Sequence, residues 1–323
     1  MIGGTLAEPK KLKPAEDVPR IVWVVLNWNG LDDTRRCLDS LLLAGIDSRD
    51  IWVVDNGSSD GSAETLEREF PAVRLFVNGS NLGYCEGNNV ALREALVEEA
   101  DYIGVLNNDA HVAIDFLEPL LSALDDPGVG VVGPKILFDE PPHEIWCAGA
   151  KLGFHENLSE MRGFGEPNDG RYAEPEDVDY VPGAALLAPH EVWEKVGLFE
   201  PSYFAYMEDV DWCCRVRAAG WRVRYVPGSI VYHKASGSTG GGYSARRKYM
   251  TACNEVHFLR RHGTLRLWAA FWILDVALWP VVFLRALGAG RTAGALGKLR
   301  GIWDGLRGRR VEAPAASSAG ESS

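Results

Sequence analysis

The sequence lacks the patterns that would place it at once in several large protein classes. Its six cysteines (Cys37, Cys85, Cys147, Cys213, Cys214, Cys253) form no C-x-x-C pair and no Cys/His cluster. That excludes a zinc knuckle and offers no disulfide framework, so they read as reduced thiols of a cytosolic protein. There is no G-x-x-x-x-G-K-[ST] loop, and the first apolar run leads into NWNGLDD where a dinucleotide-binding chain would show G-x-G-x-x-G, which weakens kinase and dehydrogenase readings. Residues 1–20 hold no apolar run of the roughly 7–15 residues a secretory leader needs, and they read as a flexible tail. Nothing repeats at a fixed period, which disfavours solenoids and propellers. Basic charge is scarce over most of the chain. Residues 1–245 carry 20 Lys and Arg against 40 Asp and Glu, residues 246–310 carry 13 against 3, and residues 311–323 add two glutamates. The acidic body argues against nucleic acid as a partner, whereas the basic C-terminal stretch suits a bilayer or a phosphate-bearing ligand.

What is present is 323 residues, 46% of them hydrophobic, enough for one large α/β domain with an appendage. Short β-branched runs (IVWVVL 21–26, IWVV 51–54, VRLFV 73–77, YIGVL 102–106) alternate with helical periodicity near 33–44, 62–70 and 87–100, which predicts parallel strands joined by crossover helices. The polar clusters NWNG (27–30), DNGSSDG (55–61), NGSNLGY (78–84) and NNDAH (107–111) all fall at the carboxyl ends of those strands, where open α/β sheets bind ligands. Residues 113–245 are less regular, with a compact block from Val181 to His233 and a mobile loop, SGSTGGGYS, at 236–244.

Two stretches offer chemistry on their own terms. Asp55 follows the second strand directly, where its carboxylate can accept from the imide N–H of uracil or thymine; the alternative is a turn capping the next helix through Asp60 or Ser62. Glu208, Asp209 and Asp211 open a helix after the aromatic run FEPSYFAYM. Acids there suit capping, the helix dipole and an Asp211–Arg215 bridge, and equally a desolvated carboxylate raised toward the pKa of a general base. Arg246, Arg247 and Lys248 could meet a diphosphate or simply start a solvated helix.

In order, N-x-N-G, V-D-N-G-S-x-D-G, N-x-G-x-x-x-G-N-N (Asn81 to Asn89), L-N-N-D (106–109), G-A-x-x-x (183–187) and F-x-Y-x-E-D-x-D-x-x-x-R (204–215) resemble glycosyltransferase family 2, the inverting enzymes of GT-A fold, in the style of its rhamnosyltransferase-like members. The resemblance runs from about Ile21 to His262. It implies a Rossmann-like nucleotide-binding α/β domain with a mixed sheet: residues 21–112 as the nucleotide-sugar half and 113–262 as the acceptor and catalytic half. It places Asn27, Asn29, Asp55, Asn81, Gly83, Asn108 and Asp109 around the donor, with Asp55 on the base. Asp109 and His233 become ligands of Mg2+ or Mn2+, although the first carboxylate of the family's D-x-D motif is here the amide of Asn107. For His233 the alternative is packing at a strand end among Tyr232 and Tyr225. Asp209 becomes the base, with Glu208 beside it.

The C-terminal run LWAAFWILDVALWPVVFL (267–284) has Asp275 as its only charge. A central aspartate costs a spanning helix roughly 2.5–3.5 kcal/mol, so the expectation is an amphipathic helical appendage over 263–310 lying in the membrane interface, the alternative being an oligomer contact or packing on the domain. Residues 311–323 read as a disordered tail. The chain is therefore expected to be a glycosyltransferase on the inner face of the cell membrane, moving a sugar, favourably L-rhamnose, from a dTDP- or UDP-linked donor to a saccharide or lipid-linked acceptor. Its rivals are a non-catalytic nucleotide-sugar-binding module and a sugar nucleotidyltransferase.

Overall fold

In the computed structural model, residues 19–234 and 244–311 are described. The 236–243 part of the glycine loop and most of both tails lie outside them. The first half alternates as the periodicity predicts: β1 (Ile21–Asn27), α1 (Leu31–Leu43), β2 (Ile51–Asp55), α2 (Ser62–Glu69), β3 (Arg74–Val77), α3 (Gly83–Val97) and β4 (Tyr102–Asn107). β2 is buried along its whole length, as a strand covered by helices on both faces must be. The four strands pair in parallel in the order β3-β2-β1-β4, so all four polar clusters emerge from one edge.

The chain then builds β5 (Ala110–Val112), α4 (Leu117–Leu124), β6 (Val129–Phe138), β7 (Ile145–Cys147), β8 (Ala150–Leu152), β9 (Ser159–Met161), β10 (Glu176–Val178), β11 (Ala185–Pro189), α5 (His190–Val196), α6 (Glu208–Ala218) and β12 (Arg222–His233). The main sheet has ten strands and is mixed. β11 lies antiparallel between β4 and β6, β12 runs parallel to β6, and β10 closes the far edge. α5 and α6 meet through the stacked rings of Trp193 and Trp212, 4.0 Å between centroids. All six cysteines are free.

Beyond the sheet come α7 (Ala245–His262), α8 (Leu265–Ala270), a π-helical stretch Phe271–Ala277, α9 (Trp279–Gly288) and α10 (Thr292–Leu306). The 267–284 run is thus broken rather than one helix. Asp275 is buried, its Oδ1 accepting from Lys298 Nζ at 2.6 Å and from the Asn157 amide at 3.2 Å, and Lys298 also reaches Glu156 at 2.7 Å. The charge that reads as an obstacle to burial is therefore paired on the protein. The outer side is different: Trp272, Ile273, Leu278, Val281, Leu284 and Leu287 are exposed. No single described helix is long and apolar enough to cross a membrane; Leu265–Ala277 and Trp279–Gly288, bent by 41°, have the length and composition only as a pair.

α10 rides close on α7 because Gly297, Gly301 and Gly305 recur every four residues and face the backbone of Ala245, Tyr249 and Cys253. A Cβ on Gly301 would collide with the Tyr249 carbonyl oxygen. Replacing a helical glycine by alanine normally gains about 1 kcal/mol of helix propensity, whereas overpacking costs about 1–3 kcal/mol. Backbone cannot swing aside, so the clash should win. Gly301→Ala is expected to lower the midpoint of thermal unfolding; an unchanged or higher midpoint would show that α10 is not held this tightly.

Candidate active site

Four loops meet at the carboxyl edge of the parallel strands, and side-chain amides stitch them together. Buried Asn27, at the end of β1, donates through Nδ2 to Asp55 Oδ2 at 2.8 Å, while its Oδ1 accepts from Thr34 Oγ1 at 2.8 Å and Asn108 Nδ2 at 3.4 Å. Asp55 Oδ1 accepts from the Ser58 amide at 2.9 Å. Asn29, exposed and at φ +51°, receives the Ser59 amide on its Oδ1 at 2.7 Å and donates its own amide to Ser58 Oγ at 2.9 Å. Both readings of the 55–62 stretch therefore have structural content: Asp55 faces the strand-end cluster, and Asp60 Oδ1 accepts from the Ser62 amide at 3.1 Å in a turn ahead of α2.

The third loop joins through Asn56, whose Nδ2 donates to Asn81 Oδ1 at 3.2 Å and to the Gly83 carbonyl at 3.1 Å. Gly83 has φ +83°, and a Cβ there would sit 2.5 Å from the Phe204 ring. This glycine lets the start of α3 touch the loop before α6, where the Tyr84 and Cys85 amides donate to the Phe204 carbonyl at 2.6 and 3.2 Å. Asn89 adds a second tie, exchanging hydrogen bonds with the Phe199 backbone at 2.8 and 3.1 Å.

At the end of β4, Asp109 Oδ1 lies 3.0 Å from His233 Nε2. Burial works to raise the Asp109 pKa, but the hydrogen bond and charge of His233 hold it below the usual carboxylate range. His233 is packed edge-on by Trp146, centroids 4.7 Å apart, while Tyr232 stacks on His111. Its Nδ1 is buried without a partner among the described residues, as is Asn107 Oδ1, and Asn107 Nδ2 lies 3.5 Å from His233 Nε2. One carboxylate, one imidazole and one amide oxygen are a donor set that fits a hard divalent cation with the remaining positions left to ligand oxygens. No group of three or more His, Cys, Asp and Glu side chains gathers for a metal among the described residues.

The acids of α6 divide by environment. Asp211 is fully buried, held by Arg215 Nε at 2.8 Å and His262 Nε2 at 2.8 Å; burial works to raise its pKa, but the His262 hydrogen bond and the Arg215 charge outweigh it and hold the carboxyl below its usual range. It braces the helix, as its spacing from Arg215 suggests. Asp209 Oδ2 accepts from the Gly183 amide at 2.9 Å and Oδ1 from the Val210 amide at 2.8 Å, and burial raises its pKa against those two bonds. Glu208 is buried, its Oε2 has no partner among the described residues, and burial followed by the Asp209 charge pushes its pKa well above the usual range. Two adjacent buried carboxyls do not both ionise readily, so Glu208 keeps its proton and Asp209, with two amide donors, carries the charge. Asp209 is also tied to the turn after β4: Gly183 precedes Ala184, whose carbonyl accepts from the Asn107 amide at 2.9 Å, and Tyr84 Oη donates to the Gly183 carbonyl at 2.7 Å. Tyr84 and Thr34 are parts of this arrangement that the linear motifs do not single out; Ser58 and Gly183 stand in those motifs, which give them no role. Arg247 lies over the Tyr206 ring at 5.5 Å, at the start of α7.

The family model described as glycosyl transferase family 2 matches residues 22–161, and glycosyl transferase family group 2 matches residues 102–299. The chain is similar to N-acetylglucosaminyl-diphospho-decaprenol L-rhamnosyltransferase of Mycobacterium tuberculosis, 32% identical over 228 residues, 64% of this chain and 73% of that protein. It is 23% identical over 220 residues, 66% of this chain and 71% of the relative, to dTDP-rhamnosyl transferase RfbF of Shigella flexneri. Among solved structures, mannosyltransferase PcManGT from Pyrobaculum calidifontis, in complex with GDP-Man and Mn2+, superposes with TM-score 0.57 at 17% identity, covering 89% of this chain and 87% of that one. GalNAc-T7 with UDP, GalNAc and Mn2+ gives 0.58 at 17% identity over 76% and 48%. These likenesses establish a GT-A-like α/β fold with a mixed sheet.

Between the ordinary glutamate pKa of 4.5 and its raised folded-state value, Glu208 holds a proton that the unfolded chain has lost, so stability falls as pH rises through that window. Glu208→Gln mimics the protonated acid and is expected to melt above wild type at neutral pH, with the gain closing as pH drops below 4.5. A variant that melts lower at neutral pH would show Glu208 ionised and stabilising.

Proposed function

The chain belongs to glycosyl transferase family 2 and is a glycosyltransferase, and from that premise we propose that it inverts the transferred sugar with Asp209 as the single general base. The observation that carries this reading is the Asp209 carboxylate, raised by burial yet fixed on Gly183 beside the Asn107–Asp109 turn. An inverting transfer needs one base, which takes the proton of an acceptor hydroxyl as that oxygen attacks the anomeric carbon from the face opposite the leaving diphosphate. Protonated Glu208 beside it avoids a second negative charge.

Asp55 accepts from the imide N–H of the base, with Asn27 and Asn29 beside the nucleoside and the Asn81–Gly83 turn shaping the third side of the donor pocket. Asn108 braces the floor by bonding Thr34 Oγ1 at 3.0 Å. Asp109 and His233 would hold Mg2+ or Mn2+, which when bound offsets the charge of the leaving diphosphate. The mycobacterial and Shigella relatives are rhamnosyltransferases by name, which supports dTDP-L-rhamnose as donor and a lipid-linked or growing saccharide as acceptor. Asp209→Asn is expected to lower turnover by about 10²–10⁴-fold with nucleoside diphosphate affinity nearly intact, and Asp55→Ala to weaken that affinity. Calorimetry and product release read both. Wild-type turnover in Asp209→Asn would refute the base.

The exposed apolar side of α9 and its neighbours, within a segment of 13 basic and 3 acidic residues, supports peripheral attachment to the anionic inner face of the membrane through hydrophobic burial and electrostatics together. Intact protein should float with anionic liposomes, less so at high salt, and a form ending before Leu265 should stay behind. Intact protein that remains unbound and forms a discrete oligomer lost on truncation would mean that a second copy covers this face.

A further inference from the structure

The turn that leads into the candidate base is built in an unfavourable backbone conformation. Phe204, Tyr206 and Met207 have φ of +61°, +73° and +74°, left-handed values that bulky L-residues rarely adopt. The Phe204 carbonyl is held by the start of α3, but that grips one peptide only. Three other carbonyls of the turn are reached from α7. Asn254, fully buried in the middle of that helix, sets its Nδ2 2.8 Å from the Tyr203 carbonyl, 2.8 Å from that of Ala205 and 2.9 Å from that of Tyr206. Its two N–H protons thus serve three acceptors. Asn254 Oδ1 is buried without a partner among the described residues, and reversing the amide would set that oxygen against all three carbonyls, so the orientation follows from the network.

We propose that Asn254 is a positioning residue for sugar transfer: it holds the 203–207 turn in the left-handed backbone that presents Glu208 and Asp209. The inference rests on the reading of Asp209 as base. Without the amide, the three carbonyls lose the bond from α7, the Tyr203 carbonyl keeping only the Ala205 amide at 2.7 Å, and the turn relaxes toward ordinary φ. The first turn of α6 then rotates, and Asp209 leaves the Gly183 amide. Asn254 shares no hydrogen bond with Asn27, Asp55, Asp109 or His233 among the described residues, so nucleotide binding should be left standing. Its neighbours on α7 act differently, since His262 and Arg261 approach Asp211 and thereby hold the helix rather than the turn.

The test uses the full-length protein. Asn254→Asp keeps the shape and removes the donors; kcat is expected to fall about 10–100-fold, the acidic limb of its pH profile to shift, and affinity for free nucleoside diphosphate to stay within about threefold. Asn254→Ser, which retains one donor, is expected to lose less and serves in its place if Asn254→Asp does not fold. The strain itself is tested by comparing Asn254→Ser in wild type and in Tyr206→Gly, because glycine adopts the left-handed value unaided; the loss should be smaller in the second background. A folded Asn254→Asp with kcat within threefold of wild type, an equal loss in both backgrounds, or nucleotide affinity falling in step with kcat would each overturn the inference. Failure of the underlying reading looks different: there, Asp209→Asn itself keeps wild-type turnover.

Discussion

The antiparallel pairing of β11 with β4 is the constraint on which the candidate active site depends. The parallel strands all deliver their carboxyl ends to one edge of the sheet, and an antiparallel neighbour begins at that same edge. With Ala185 opposite Leu106, the residues just before β11 lie over the turn just after β4. Ala184 then bonds the Asn107 backbone, and Gly183 offers its amide to Asp209. A parallel β11 would carry the 181–184 segment to the opposite edge and leave the acids of α6 without an anchor beside the strand-end loops.

Polar groups along that edge fall into two sorts. Those of Asn27, Thr34, Ser58 and Asn108 are spent on one another. Leaving a single buried partner unmatched costs about 1–3 kcal/mol, so this network fixes the loops against one another. Asn107 Oδ1, His233 Nδ1 and Glu208 Oε2 are instead buried without a partner among the described residues. A scaffold satisfied on one side, with unmatched polar atoms on its titratable groups and beside them, is the arrangement expected where reactivity has been retained at some cost in stability.

What the sequence reveals of this arrangement is its local part. Short β-branched runs and helical spacing identify β1 to β4 and their crossovers, and the strand-end polar clusters mark the edge at which the candidate site is built. The bridge between Asp211 and Arg215 is legible because four residues along a helix bring side chains together. Contacts between distant segments leave no such mark. Asn254 lies 48 to 51 residues from the carbonyls it holds, and nothing in CNEV distinguishes it from a surface asparagine. That Asp275 is buried against protein cannot be read from the 267–284 run, because its partner Lys298 lies on another helix. The stripe of Gly297, Gly301 and Gly305 is printed in the sequence at helical spacing, but only the packed structure shows that α7 lies against it.

The proposed reading, with Asp209 as the one base and no carboxylate as nucleophile, calls for a single displacement at the anomeric carbon and no covalent glycosyl-enzyme intermediate. The anomeric configuration of the product, read by proton NMR from a donor of defined configuration before the product can equilibrate, tests that most directly. The account predicts the opposite anomer to that of the donor. Transfer with retention would require a second nucleophile and contradict it.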